Sequence, residues 1–448
     1  MAPANQMDSQ RKSTLGFAVI LSVLFLILTW PAILSHSPGI DRTGGAGDQN
    51  DYHLPLILKK AHNWPNIDLN DLGGCQMTPT YHVIMAALAH YANLNVTGLR
   101  MVNSLYGLAL VLAVFWFARK WTSAPVAFAL SVTYLFSPFM ISAAIWLMTD
   151  NLAWFFVVLA LGGAAMHATT PRRIIGNGVA AMAATAVRQI HLWLNGPIVL
   201  ATMMELLRSR FPGLAPTGSP PRSRPAALIL TTAIAILLPA AALLFYVSIW
   251  HSLIPPNSAK PGMNNHFKII PLALAQAGFC CLFLAPAVLP GALKLRWNDW
   301  RIWAGAAICT LLAAIPRSAE QQNPSGALVD LAGHTPVMFD RLLILLPPAA
   351  IAGAALVAFF LAAQKLGRGR PAFLILVGFV CWLMAQTAPI YVFRRYCDIV
   401  QILVIWLAAL CIPPEGPRLR FWGAVGAFSF VQAGFCFVQI FLPLFRAL

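Results

Sequence analysis

The side chains best placed to do chemistry in this sequence are Asp48, Asp51 and His53, in the patch GDQNDYHLP at 47–55. Two carboxylates three residues apart, with an imidazole beside them, can supply a base and a neighbour that tunes it. Such a base takes the proton from a poor nucleophile, a sugar hydroxyl for instance, as the new bond forms. The competing reading is a solvated loop in which the Asp residues cap helices. Arg394 and Arg395, followed by Tyr396 and Asp398, form a second group. An arginine pair suits a phosphate, which each guanidinium binds through two parallel charge-assisted bonds. The same arginines could snorkel to lipid headgroups or pair with Asp398. A third group is Arg188, Gln189, His191 and Trp193, and a fourth is Thr149–Asp150 together with Asp330, His334 and Arg341. Asp330 and His334 sit at i and i+4, one face of a helix. A metal would need further ligands in a defined geometry, so a hydrogen-bonded pair is an equal reading. His251, Lys260 and His266 show no comparable pattern.

The elements that must position these residues are membrane helices. The chain has 448 residues, of which 59% are hydrophobic and only 10% charged, against about 25% charged in a soluble domain. Apolar runs of about 20 residues recur along its length, as in proteins that cross a bilayer repeatedly. The run at 15–34 is too long for a signal-peptide core and lacks a small-residue cleavage site, so it reads as a retained anchor. The formal charge of +16 does not point to nucleic acid. The basic residues fall in short clusters between apolar spans, including Arg11–Lys12, Arg119–Lys120, Arg172–Arg173, Lys365/Arg368/Arg370 and Arg418/Arg420, the pattern of cytoplasmic loops. Most of the eight cysteines lie within apolar runs and none forms a CxxC, which suits buried thiols acting as small hydrophobes.

On this reading the chain is an all-α polytopic membrane protein with about 13 transmembrane helices. Residues 1–13 form a cytoplasmic N-terminus and 14–34 the first span. Residues 35–100 form a long extracytoplasmic loop with surface helices expected near 52–60 and 80–94. Residues 101–443 form the helix bundle and 444–448 a short tail, with a loop lacking regular structure at 211–225. Most acids, among them Asp41, Asp48, Asp51, Asp68, Asp71, Asp150, Glu320, Asp330, Asp340 and Asp398, then map to the outer side. The positive-inside rule explains the basic residues but not this gathering of acids.

An acid pair after the first span, a long outer loop and outer arginines together resemble the GT-C glycosyltransferases. The finer match is to the dolichyl-phosphate-glucose-dependent α-1,2-glucosyltransferase family. The shared motifs are short and run in the family's order: His53-Leu54-Pro55, Thr78-Pro79, Thr149-Asp150, Arg188-Gln189, the Asp330/His334 pair, then Ala388-Pro389 followed by Arg394-Arg395-Tyr396. The sequence also departs from the family. Aligned on His-x-Pro, the family's Asp-Glu falls on Gln49-Asn50, flanked by Asp48 and Asp51. Its Asn after Arg-Gln is His191 here, and its late His-Pro has lost the His at Ala388. The chain therefore reads as a distant relative rather than as the terminal glucosyltransferase itself.

The resemblance implies an inverting hexosyl transfer, glucose favoured, from a polyprenyl-phosphate (dolichyl phosphate in the family) to a lipid-linked glycan or other extracytoplasmic acceptor. It implies Asp48 or Asp51 as base and Arg188, Arg394 and Arg395 as ligands of the donor phosphate. His53, Thr78, Asp150, Gln189, Asp330, His334 and Tyr396 would support the substrates. It implies no metal and no cofactor. The expected location is a bacterial inner membrane, or the endoplasmic reticulum membrane in a eukaryote, with the site on the outer or lumenal face. The alternative is a transporter or flippase of a lipid-linked sugar or amphiphile. Transporters usually carry inverted repeats and polar residues in broken helices at mid-membrane, and no repeat is visible here.

Overall fold

In the computed structural model, the described residues are 4–35, 44–166, 170–207, 224–253, 255, 267–292, 298–316, 334–387, 397–413 and 416–447. Helix α1 (Ala4–Ser35) leads to a short α2 (Gly44–Asp48), a π-helical turn at Gln49–His53, α3 (Leu54–His62) and α4 (Thr80–Tyr91). There follow α5 (Val96–Trp121), α6 (Ala124–Leu135), α7 (Pro138–Ile145), α8 (Asp150–Ala165), α9 (Pro171–Val187), a 3-10 turn at Gln189–Leu194 and α10 (Asn195–Leu206). The remainder is α11 (Pro225–Trp250), α12 (Ile269–Ala292), α13 (Trp300–Ala314), α14 (Leu346–Lys365), α15 (Gly369–Ala385), α16 (Asp398–Leu410), α17 (Leu419–Cys436) and α18 (Leu442–Ala447). A hairpin of two-residue strands, β1 (Val337–Met338) and β2 (Arg341–Leu342), precedes α14.

The expectation of about 13 spans is overturned. Among the described residues, six helices are long and apolar enough to cross a membrane: Lys12–Ser35, Val96–Trp121, Pro225–Trp250, Ile269–Leu289, Leu343–Lys365 and Leu419–Leu444. The pair α6–α7, bent by 69°, makes a seventh if counted as one span. The other apolar runs break early. Helix α8 has 16 residues, about 24 Å at 1.5 Å per residue, short of a hydrocarbon core about 30 Å thick. Helices α13, α15 and α16 are likewise short. Hydropathy counts apolar residues, whereas crossing also needs an unbroken backbone, and turns at Phe136–Ser137, Trp146–Thr149 and Arg188–Leu194 interrupt it here. The apolar outward faces of α1, α11, α13 and α17 (Leu15, Ile27, Leu237, Leu244, Leu311 and Phe430 are all exposed) fit lipid rather than water, and the chain is an integral multi-pass membrane protein.

Small residues let the helices approach closely, as in membrane bundles generally. A Cβ on Gly178 of α9 would come within 2.6 Å of the Ala235 backbone of α11, and Gly305 of α13 meets Gly353 of α14 backbone to backbone.

The bundle has two chemically distinct ends. At one, Arg119 Nε donates to Thr14 Oγ1 (3.3 Å), Arg368 Nη1 to the carbonyl oxygens of Leu410 (3.0 Å) and Ile412 (2.8 Å), and Arg370 to the Met166 carbonyl oxygen. Lys120 and Arg368 line one depression there with Ser123 and Pro413. These cations complement helix C-termini, where carbonyls are orphaned. The opposite end carries α2 to α4 and the N-termini of α8 and α16, each of which begins on an aspartate.

Candidate functional site at the acidic end

The break between α7 and α8 organises this end. A backbone that leaves the helix inside an apolar bundle needs new partners, and residues of α5 and of the π-helical turn supply them. Asn103 Nδ2 donates to the carbonyls of Ala143 (2.8 Å) and Trp146 (2.7 Å), while its Oδ1 accepts from Tyr81 Oη (2.8 Å). Arg100, fully buried, donates through Nε to the Ile145 carbonyl (2.8 Å) and lies over the Trp146 ring. Leu147 N–H donates to Gln49 Oε1 (3.1 Å). At the preceding break, buried Asp398 accepts from Tyr134 Oη (2.8 Å) and Ser137 Oγ (2.6 Å) and so braces it.

The candidate acids stand on the turn that Gln49 ties down. The π-helical turn directs Gln49 and His53 inward and leaves Asp51 exposed. Asp48, at the end of α2, is half-buried. Helix α2 can seat here because Gly45 has no side chain. A Cβ would lie 2.6 Å from both Ser142 Oγ and Trp146 Cδ1. π-Helical turns recur at functional sites. Gln49, where alignment on His-x-Pro puts the family's acid, is fully buried and bonded.

The segment after α3 is folded back by lysines. Lys60 Nζ donates to the carbonyls of Asp68 (2.6 Å) and Asp71 (3.0 Å), and Lys59 pairs with the Asp71 carboxylate at 2.6 Å. The hydrogen bond from Lys59 holds Asp71 below its ordinary carboxyl range, while burial pulls Lys60 below the usual lysine value. This path delivers Cys75 to His53 and His82. His53 Nδ1 lies 2.9 Å from His82 Nε2, and Cys75 Sγ lies 4.0 and 3.8 Å from those two nitrogens. All three residues are buried. Burial, with the charge of Asp48, pushes the Cys75 thiol up to about 12. Burial, with His53 and Lys60, holds His82 well below 6.5, so its ring is neutral.

Residues 76–78 then cross to α8 and α9. Gln189 Nε2 donates to the Gln76 carbonyl (3.0 Å), Thr78 N–H donates to Gln189 Oε1 (3.3 Å) and Thr149 Oγ1 meets Met77 Sδ at 3.2 Å. The Thr78 hydroxyl is buried with no hydrogen-bond partner among the described residues. Asp150, the first residue of α8, pairs with Arg188 at the end of α9 at 2.5 Å, with side chains 6% and 10% exposed. His191 packs edge-on against Trp154, and neither of its ring nitrogens has a hydrogen-bond partner among the described residues. At the roof, Tyr246 Oη and Trp250 Nε1 of α11 reach Thr80 Oγ1 (2.6 Å) and the Leu69 carbonyl (3.1 Å).

Contacts at this end gather His53, Thr78, Asp150, Arg188 and Gln189, with half-buried Asp48 and exposed Asp51 a few residues before His53 in the chain. His334 is exposed ahead of the β-hairpin. Asp330, Arg394, Arg395 and Tyr396 lie outside the described residues, as do Asp41, Glu320, Lys260, His266 and Ala388-Pro389. Sequence reasoning missed Cys75 and His82. Their one signal was Cys75 itself, a cysteine in a polar loop rather than an apolar run.

Fold and site define a polytopic membrane protein with a folded polar cap over one end of its bundle. The chain is similar to two crystal structures of ArnT from Cupriavidus metallidurans. For the apo state, identity is 13% over 88% of this chain and 76% of that one, with a TM-score of 0.39. For the state bound to undecaprenyl phosphate, identity is 13% over 93% and 78%, with a TM-score of 0.42. No protein-family model matches the chain, and no curated protein matches it.

Proposed function

We propose that this protein is a GT-C-type glycosyltransferase that moves a hexose, glucose favoured, from a polyprenyl phosphate to a lipid-linked glycan or other acceptor. The observation that carries the reading is the meeting of 47–55, 78–79, 149–150 and 188–189, distant in sequence, at the end of the bundle opposite the basic clusters. These are the segments that resemble the family. By the positive-inside rule the basic end faces the cytoplasm, so the cap faces outward, in a bacterial inner membrane on the favoured reading.

Asp48 is the base, with exposed Asp51 as its rival. Gln49 is committed to Leu147, so the acid function moves one residue earlier than in the family. As the acceptor oxygen attacks the anomeric carbon, Asp48 takes its proton and the bond to the phosphate oxygen breaks, inverting the centre. Arg188, held by Asp150, acts with Arg394 and Arg395 to bind the donor phosphate and stabilise the charge it gains. Phosphate leaves readily, so the step needs neither a general acid nor a metal. Thr78, Gln189 and His53 shape the acceptor side, and Asp330, His334 and Tyr396 belong to the donor side.

The test is incubation of the purified protein with radiolabelled polyprenyl-phosphate hexoses and membrane extract. Asp48→Asn is expected to lower transfer by roughly 10²–10⁴-fold, and Asp51→Asn by far less. Full activity in both folded variants would remove the acid base from the mechanism.

A further inference from the structure

Cys75 and His82 have no part in the sugar transfer proposed above, and His53 only helps to shape its acceptor side. Three ligand-capable atoms, His53 Nδ1, His82 Nε2 and Cys75 Sγ, lie within 4.8 Å of one another in a buried pocket. Zinc–nitrogen bonds of about 2.0–2.1 Å and zinc–sulfur bonds of about 2.3 Å in a tetrahedron separate two nitrogens by about 3.3 Å, and nitrogen from sulfur by about 3.6 Å. The separations here are 2.9, 3.8 and 4.0 Å. Each is within about 0.4 Å of the tetrahedral value, a shift that small side-chain rotations supply. Among the described residues His82 Nδ1 is buried without a hydrogen-bond partner, and the polar contacts of this ring are those made by its Nε2 with His53 and Cys75. Two imidazoles and a thiol are the donors of zinc and its borderline-soft neighbours, not of magnesium or calcium.

We propose that His53, Cys75 and His82 bind one zinc-class divalent ion, which clamps the turn bearing Asp48 and Asp51 to helix α4. On binding, Cys75 gives its thiol proton to solvent and forms the sulfur–metal bond, and the two imidazoles bind through lone pairs while remaining neutral. The fourth position is left to water. Lys60 is the nearby cation, and the Asp68 and Asp71 carbonyls hold its ammonium. The ion has a structural role, because the clamp joins residues 22 and 7 positions apart across the folded loop.

The experiment uses the full-length protein in detergent, chelator-treated and then titrated with cobalt(II) and zinc. The expected result is one ion per chain and a thiolate-to-cobalt charge-transfer band. Cys75→Ser abolishes that band, and His82→Gln weakens binding at least about 10-fold. Cys75→His keeps the zinc stoichiometry and loses the band. The proposal is overturned if wild-type protein binds no stoichiometric metal, or if its cobalt complex shows no thiolate band. These two measurements need no variant to fold. Equal metal binding by wild type and a folded Cys75→Ser/His82→Gln protein also overturns it. Metal content is read without any sugar donor, so this proposal and the glycosyltransferase reading fail separately.

Discussion

Neutralising the Asp150–Arg188 pair one side at a time, and then both sides together, separates its contribution to folding from its contribution to function. Both side chains are nearly out of reach of water, at 6% and 10% exposure, so the weak figure for surface ion pairs does not apply. Asp150→Asn leaves a buried guanidinium without its counter-charge, and Arg188→Met leaves a buried carboxylate. Each should cost about 3–5 kcal/mol, a large share of a typical total of about 5–15 kcal/mol. The double variant removes both charges and both desolvation costs. It should be no less stable than either single variant, a coupling of about 3 kcal/mol. The assay is unfolding in detergent micelles for the four proteins of the cycle, followed by sugar transfer for those that are folded. Stability should recover in the double variant while transfer does not, because a methionine cannot bind phosphate. Additive stability losses would show that the two residues are not a coupled unit. Recovery of transfer together with stability would remove Arg188 from donor binding.

Two further outcomes follow from the cap. His82 is held neutral below its ordinary value of 6.5, so the unfolded loop binds more protons than the folded one below that pH. The stability from His82 is therefore complete above pH 6.5 and lost as the pH falls below it. In chelator-treated protein, hydrogen-exchange protection of α4 should fall on acidification, and a pH-independent profile would refute this. Gln49→Ala leaves the Leu147 N–H buried without its acceptor and should cost about 1–3 kcal/mol. Faster exchange at the Leu147 amide is the readout, and unchanged exchange would mean that water or another group serves it.

The motifs legible in the sequence are those whose local chemistry repeats in the fold. Thr78-Pro79 directly precedes α4 at Thr80, Asp150 starts α8, and Arg188 directly follows α9. Pro55 falls in the first turn of α3, where a missing N–H costs nothing. The expected helices near 52–60 and 80–94 correspond to Leu54–His62 and Thr80–Tyr91. The span count was not legible, because a buried helix inside a bundle is as apolar as one that crosses lipid. Only the backbone breaks, supported by Asn103, Arg100 and Asp398 from far along the chain, tell them apart. Gln49 reads from sequence as a lost acid, and its bond to Leu147, 98 residues away, is invisible there. The pairing of Cys75 with His53 and His82 depends on a loop path set by Lys59 and Lys60, which no hydrophobic period encodes.

The dependence of the α7–α8 break on Gln49, Tyr81 and Asn103 bears on how the polar cap of this protein could be re-engineered. The polar cap is not an exchangeable module. A chimera that grafts a foreign 44–95 segment onto this scaffold would import a new surface while taking Gln49 from the amide of Leu147 and Tyr81 from Asn103 Oδ1 inside the bundle. A graft that also carries residues 138–149 and the partner-bearing turn of α5 keeps the donors and acceptors of the α7–α8 break together, and must still match Gln189, Tyr246 and Trp250 of the scaffold. The smallest transplantable unit is thus discontinuous, and crossover points for a recombination library belong in the middle of α5 and α8 rather than in the loops that flank the cap.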